Sequence, residues 1–380
     1  MAGIYLHIPF CKKACHYCNF HFSTQTTHIQ AFVDALIQEI ALQKSYLNEP
    51  IQTIYFGGGT PSLLNELQLK AILEAIYSHF DVANSIECTL EANPDDMNPG
   101  KLAAWKQLGF NRLSIGIQSF QAPALTWMNR AHTVEQSHAA IDMAKKAGIH
   151  NLSIDLIYGT PTLSDEALMA DLDWIKKYEI GHVSCYALTV EDKTALKKLI
   201  ERAQIEDVDP EKQARHFEIV CSTLKAMGME HYEISNFAKP GFRSQHNSQY
   251  WSGQTYLGLG PSAHSFNTIS RQWNIANNAL YIQSLSNKQL NFEIEFLTDA
   301  DRYNEYMMTS LRRMEGFDLD LIQSKFGAKY CTHSIDILET MRSKNFFHQD
   351  GNCYTLRNEA KFLADGIASD FFILESAQSS

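Results

Sequence analysis

The stretch Tyr5-Leu6-His7-Ile8-Pro9-Phe10-Cys11-Lys12-Lys13-Ala14-Cys15-His16-Tyr17-Cys18 sets a short apolar run directly before three cysteines that crowd into eight residues. The run Ile4 to Ile8 reads as a strand, and the residues after it as a loop carrying C-x3-C-x2-C. A loop so placed can wrap three thiolates around one metal centre. A four-iron cluster normally takes one cysteine per iron, so three ligands leave one iron a coordination position that an amino acid can chelate through amine and carboxylate. That arrangement is catalytic rather than structural, by the logic that separates open catalytic zinc from closed structural zinc. Zinc in a Cys3His site with His7, His16 or His21 is the other metal reading. Cys88, Cys185, Cys221, Cys331 and Cys353 lie far apart, a pattern that suits a metal loop plus inert thiols better than a disulfide framework.

Beyond this loop, apolar runs recur at Thr53 to Phe56, Glu87 to Glu91, Arg112 to Gly116, Asn151 to Leu156 and His182 to Ala187. Segments of helical period separate them, at Ile29 to Ser45, Glu66 to Phe80, Val134 to Ala147 and Asp165 to Lys177. Strand–helix alternation demands a parallel sheet. Polar motif residues fall at strand ends, where the loops of a (β/α) barrel build its site. An α/β fold, a partial (β/α) TIM-like barrel, is therefore expected over residues 1–235. In the remainder, 236–380, the Gly-, Ser-, Asn- and aromatic-rich Asn236 to Phe266 reads as an ordered loop region. From Asp299 to Leu374 several helices and a hairpin, Asn345 to Phe347 and Cys353 to Leu356 around Asp350-Gly351, predict a smaller helical, winged-helix-like domain.

The composition excludes some classes. At 45% hydrophobic and 20% charged, the 380 residues suit a globular protein with a sizeable core. A formal net charge of -11 without a basic block gives no nucleic-acid footprint, so the C-terminal module reads as a packing or partner module. No apolar run reaches the roughly 18 residues of a membrane span, and Met1 to Pro9 lacks the pattern of a signal peptide. A cytoplasmic protein is expected.

Several polar residues sit on or just after the strands. Gly57-Gly58-Gly59-Thr60-Pro61 would let backbone approach a small ligand closely, although any tight strand-to-helix turn can carry glycines. Glu91, Gln118 and Asp155 end successive strands, and a buried carboxylate needs a partner such as an ammonium or a ribose hydroxyl, or else a loop amide. Arg130 can pair with a ligand carboxylate, or lie on the surface.

With Tyr17 before its last cysteine, the C-x3-C-x-Y-C loop resembles the signature of the radical S-adenosylmethionine (SAM) superfamily. The resemblance implies a [4Fe-4S] cluster on Cys11, Cys15 and Cys18 with SAM on the open iron, and, where chemistry occurs, one-electron cleavage to methionine and a 5'-deoxyadenosyl radical. More closely, Tyr5-x-His7-Ile-Pro-Phe, the glycine run, Ser114-x-Gly-x-Gln118-Ser-Phe, Asp155-Leu-Ile-Tyr-Gly and Gly258-x-Gly260-x-Ser262-Ala263 are similar to one subgroup, over nearly the whole chain. It comprises the oxygen-independent coproporphyrinogen III oxidases and their relatives, the HemW-type haem chaperones. The resemblance implies that Tyr5, Gly58, Gly59, Thr60, Glu91, Gln118, Arg130, Asp155 and Ala187 line the SAM site, with His264 beside the second glycine segment.

Two features separate these relatives. The oxidases carry a further cysteine two residues beyond the cluster motif, where this chain has Phe20. His246-Asn247-Ser248-Gln249-Tyr250-Trp251 resembles the H-N-x-x-Y-W motif of the chaperones, which implies haem held by His246, Tyr250 and Trp251. Outside that family the same run reads as an aromatic loop with a solvated histidine. The expectation is a haem chaperone that passes haem to acceptor apoproteins, with peripheral association with membrane haem proteins as a further expectation. The alternatives are the oxidase, converting coproporphyrinogen III propionates to vinyls, and an interaction protein with a structural cluster.

Overall fold

The structure, a computed structural model, describes residues 2–374. Its elements in chain order are β1 (Ala2–Ile8), α1 (Ile29–Leu42), β2 (Ile51–Gly58), α2 (Glu66–His79), β3 (Val82–Ala92), α3 (Pro99–Gln107), β4 (Arg112–Gln118), α4 (Ala122–Trp127), α5 (Val134–Lys146), β5 (Asn151–Tyr158), α6 (Asp165–Lys177), β6 (His182–Ala187), α7 (Ala195–Glu201) and α8 (Pro210–Ala226). Then come β7 (Glu230–Glu233), β8 (Asn236–Ala238), α9 (Gln245–Trp251), β9 (Thr255–Leu259), β10 (His264–Phe266), β11 (Ser270–Asn274), α10 (Asn278–Ser286) and β12 (Phe292–Phe296). The chain closes with α11 (Asp299–Arg312), β13 (Phe317–Asp318), α12 (Leu319–Phe326), α13 (Ala328–Met341), β14 (Phe347–Asp350), β15 (Cys353–Leu356) and α14 (Ala364–Asp370).

β1 to β6 lie side by side in chain order, all parallel. Beyond β1 the sheet continues through β9, β10, β11 and β12, and beyond β6 through β8 and β7, giving, among the described residues, twelve strands with two free ends. The barrel is thus partial: an open sheet. Local signals start the helices. Asn65 with Gln68, and Thr133 with Gln136, form reciprocal capping boxes at α2 and α5, and Ser164 caps α6.

What distinguishes this sheet is its strict alternation. One parity carries Ile4, Leu6 and Ile8 on β1, Ile54 and Phe56 on β2, Leu113, Ile115 and Ile117 on β4, and Leu152, Ile154 and Leu156 on β5, all buried in one core with α1, α2, α5 and α6. The opposite parity carries Tyr5 and His7, Thr53 and Tyr55, Glu87 and Glu91, Arg112 and Ser114, Ser153 and Asp155, and His182 and Ser184. A barrel whose interior were only a core would fill it with branched apolar side chains. A polar concave face instead makes the inside of this one a site.

Asn236 to Phe266 is not a loop region. It supplies β8, α9, β9 and β10, and β9 pairs in parallel with β1 from Ala2↔Thr255 to Leu6↔Leu259. The expected division at 235/236 falls in the β7–β8 hairpin, whose two strands belong to the same sheet. A second, separate core begins after β12, gathering Ala300, Tyr303, Met307, Phe317, Ile322 and Phe371. There the order helix, short strand, two helices, hairpin, with β13-β15-β14 as a three-stranded sheet, gives the winged-helix arrangement.

Candidate functional site

Three groups of residues meet over the ends of the parallel strands. The loop after β1 brings Cys11, Cys15 and Cys18. The turn after β2 brings Gly58, Gly59 and Thr60, and the ends of β3 to β6 bring Glu91, Gln118, Asp155 and Ala187. All of them, with Arg130, line one cavity of about 450 Å³. Only glycine fits at position 59: an added Cβ would lie 2.7 Å from the carbonyl oxygens of Ile8 and Phe10, because the turn is pressed against the cysteine loop. Thr60 turns its hydroxyl toward Cys11 Sγ at 3.6 Å. Gln118 ends β4 with φ +67°, backbone strain of the kind kept at functional positions.

The cavity fits the groups implied by the resemblance. No three His, Cys, Asp or Glu side chains among the described residues are set around a single ion. The three cysteines instead open together on the cavity, and a cluster, with one thiolate per iron, spreads its ligands wider than one ion does. Burial pushes Cys11 up to about 11 and raises Cys18, so metal binding would release protons. On the strand side, burial and the nearby Asp155 charge push Glu91 up to about 8 despite the hydrogen bond from Tyr55. Burial likewise pushes Asp155 to about 6, against hydrogen bonds from Ser184 and Ser114. Two carboxylates made reluctant to ionise are what an ammonium group of SAM would relieve. When bound, such a pair of groups would supply one-electron chemistry at the sulfonium; Glu91 and Asp155 would face the amine and the cysteine loop would hold the cluster.

Arg130 lines the cavity and is tied into its wall. Its Nη2 donates to Asn93 Oδ1 at 2.7 Å and to the Gly116 carbonyl at 2.9 Å, while Nη1 reaches Cys15 Sγ at 3.2 Å and Tyr17 OH at 3.4 Å. Burial would lower its pKa, but Tyr17 and Cys15 more than offset that, and only Nε is left without a partner. It braces the cysteine loop and keeps one orphaned donor, Nε, in the wall of the cavity it lines. Tyr5 lies beneath the cavity, its OH 3.3 Å from His7 Nδ1. His264 stands apart, exposed on β10 with its ring facing Trp273 at 6.1 Å.

The residues of the H-N-x-x-Y-W run lie on α9. His246 is neither solvated nor open: it is 2% exposed, on α9, with Nδ1 2.7 Å from Thr53 Oγ1 and Nε2 2.9 Å from Tyr250 OH. Trp251 lies under the Arg312 guanidinium at 5.1 Å, its Nε1 buried without a partner. In this arrangement none of the three offers an open ligand to iron.

Sequence reasoning missed Tyr55, whose OH donates to Glu91 Oε1 at 2.7 Å, and Asn93, which bonds both Arg130 and Thr60. It also left Tyr186 out of the lining. The signal was parity: Thr53, Tyr55 and Gly57, then Glu87, Thr89 and Glu91, are polar or small at every second position of apolar runs.

Comparison with known proteins agrees with this geometry. Residues 5–175 match the Radical SAM superfamily. A protein of Bacillus subtilis named heme chaperone HemW is 32% identical over 375 residues, 98% of this chain and 99% of its own length. Its namesake in Lactococcus lactis is 32% identical over 374 residues, 96% of this chain and 97% of its own. Among solved structures, the coproporphyrinogen III oxidase HemN of Escherichia coli superposes with a TM-score of 0.85 at 22% identity, over 97% of this chain and 89% of that one, a likeness of fold. With its cysteine loop, its carboxylate-lined cavity and full-length similarity of this degree, the chain belongs to the HemW family of the radical SAM superfamily.

Proposed function

We propose that the protein binds haem and hands it to acceptor apoproteins, while keeping a [4Fe-4S] cluster and SAM in the cavity over the parallel strands. The observation that carries the reading is similarity across nearly the entire length to proteins named for that activity, both modules included. Phe20 supports it further. It lines the cavity mouth and is 64% exposed, so the position at which the oxidases carry a cysteine offers an apolar ring instead. No helix among the described residues is long and apolar enough to cross a membrane, which suits cytoplasmic delivery to acceptors that include membrane haem proteins approached from the side.

The test is an anaerobic haem titration of the cluster-loaded chain, followed by mixing with an apo-haem protein and reading the Soret band of the acceptor. Saturable binding and transfer support the chaperone. No saturable binding, or conversion of coproporphyrinogen III to protoporphyrinogen IX with SAM and a reductant, overturns it in favour of the oxidase.

A further inference from the structure

We propose that Asn93 is a positioning residue of the cluster site, the amide through which hydrogen-bond donors are aimed at two of its three thiolates, Cys11 and Cys15. The proposal rests on the cluster and SAM part of the proposed function and is independent of how haem is held. Asn93 follows β3 two residues after Glu91, and on an extended chain that spacing turns both side chains to one side; both line the cavity. Its backbone is fixed in place. The φ of -89° and ψ of 142° are the extended values favoured before a proline, here Pro94. The Asn93 N–H donates to Ser62 Oγ at 3.3 Å, and its carbonyl accepts from the Asp96 N–H at 3.0 Å.

The partners of the amide decide which way it points. A guanidinium has donors only, so the oxygen must face Arg130, whose Nη2 reaches Asn93 Oδ1 at 2.7 Å. The amide nitrogen then faces Thr60 and donates to Oγ1 at 3.2 Å. With that lone pair occupied, the Thr60 hydroxyl hydrogen is turned toward Cys11 Sγ, 3.6 Å away, a separation that the larger sulfur atom allows. On the other side, the guanidinium held by Asn93 sets Nη1 3.2 Å from Cys15 Sγ. Every hydrogen from Arg130 through Asn93 and Thr60 is thus directed toward sulfur, and a chain of bonds running in one direction polarises each of its members. The neighbouring strand leaves room for it: a Cβ added at Gly116 would lie 3.2 Å from Arg130 Nη2 and 3.4 Å from Asn93 Oδ1. Hydrogen bonds to ligating sulfurs favour the more negative, reduced form of a cluster, so this chain raises its reduction potential.

The experiment uses the cluster-loaded full chain, with the midpoint potential of the cluster by anaerobic reductive titration and SAM affinity by calorimetry, each on protein of measured iron content. Thr60→Val keeps the shape without the hydroxyl and is expected to lower the potential; Thr60→Ser restores the hydroxyl and is expected to return it to the wild-type value. Asn93→Leu removes both ends of the amide at nearly constant volume. It should lower the potential further than Thr60→Val, and weaken SAM binding on the order of 10-fold as Arg130 loses the acceptor that holds it in the cavity wall. Because Asn93 aims the Thr60 hydroxyl, the double variant should shift the potential by less than the sum of the single shifts. If Asn93→Leu takes up no iron, Asn93→Asp decides. It keeps an acceptor for Arg130 but draws the Thr60 hydrogen to itself, so SAM affinity should stay within about 3-fold of wild type while the potential falls. Unmoved potentials in the loaded Asn93 variants, or a Thr60→Ser potential as low as that of Thr60→Val, overturn the proposal alone. A wild-type chain that takes up no four-iron cluster overturns the cofactor reading and the proposal with it, so the wild-type control separates the two failures.

Discussion

Glu91 and Asp155 face one cavity from β3 and β5, and what they gain from a bound amine can be read as a pH dependence. Around Glu91 stand Tyr5, Tyr55, Tyr186, Asp155, Cys18 and Arg130, with burial as the largest influence. In the folded chain without SAM it holds its proton up to about 8, whereas an unfolded chain releases it near 4.5. Across that interval the unfolded state binds fewer protons, so stability falls as pH rises, and Asp155 acts the same way between 3.8 and about 6. Glu91→Gln removes the larger part of this. Without SAM, its Tm is expected to exceed that of wild type by on the order of 2 °C above about pH 8, with the advantage vanishing near pH 5. A thermal melt series over that range checks it; a pH-independent difference would show that Glu91 stays ionised. Because an ammonium needs the carboxylate charged, wild-type SAM affinity should climb with pH through the same window. The cysteines give a simpler expectation: replacing any one of Cys11, Cys15 or Cys18 by Ala leaves an iron without its thiolate, so iron and sulfide content after reconstitution should fall to a small fraction of wild type.

At the level of elements, the turn after β2 and the helix caps carry separable costs. Gly59→Ala puts a methyl against two backbone carbonyls that have nowhere to go, so it is expected to displace the cysteine loop, lower cluster loading, and destabilise by about 1–3 kcal/mol. Normal iron content in that variant would show that the loop yields freely. Thr298 and Asp301 form a reciprocal capping box at α11, and Thr298→Ala is expected to cost about 1 kcal/mol in a denaturant melt without touching the cluster. The elements that sequence places well, β1 to β6 with α1, α2, α5 and α6, share one property: each strand buries an apolar face against helices with their own periodicity. The ends differ by a few residues, β3 running from Val82 rather than Glu87, since exposed positions such as Asn84 and Ser85 carry no apolar signal. Asn236 to Phe266 reads as loop in the sequence because its strands are three to five residues long and its helix only seven. Neither gives a period time to show. The cysteine loop is legible from spacing alone, whereas Tyr55 hides in an apolar run whose second face is not separated from the first, and Asn93 looks like an ordinary residue of the turn after β3. His264 and the haem trio rest on motif resemblance, and resemblance carries residue identity without carrying the direction in which a side chain points.

Over the whole molecule, the two largest cores, of different kinds, meet along a mostly polar seam. The large sheet core reaches from Ala2 to Leu285, and the smaller one gathers residues from Ala300 to Phe371. Between them run mostly charged and polar contacts: Arg243 to Glu315 at 3.0 Å, Arg312 over Trp251, Lys361 to His231 Nδ1 at 3.2 Å, and the Met314 N–H to the Tyr232 carbonyl at 3.1 Å, with Phe217 against Phe362 at 5.4 Å and Ile234 as the apolar contacts. A seam of this composition resembles a transient interface more than a continuous core, so the two parts should lose structure separately. Phe317 tests this. It is 1% exposed, stacks on Tyr354 at 5.4 Å and meets Phe371 edge-on, with no part in the cysteine loop or the strand-end carboxylates. Phe317→Ala is expected to cost about 3–5 kcal/mol within the small core. Hydrogen exchange should then show protection lost across α11 to α14 while β1 to β5 keep theirs, and reconstituted iron content should stay at the wild-type level. Equal loss of protection in both cores would mean that the polar seam binds them into one cooperative unit, and that the module carrying α11 cannot loosen without disturbing the cluster site.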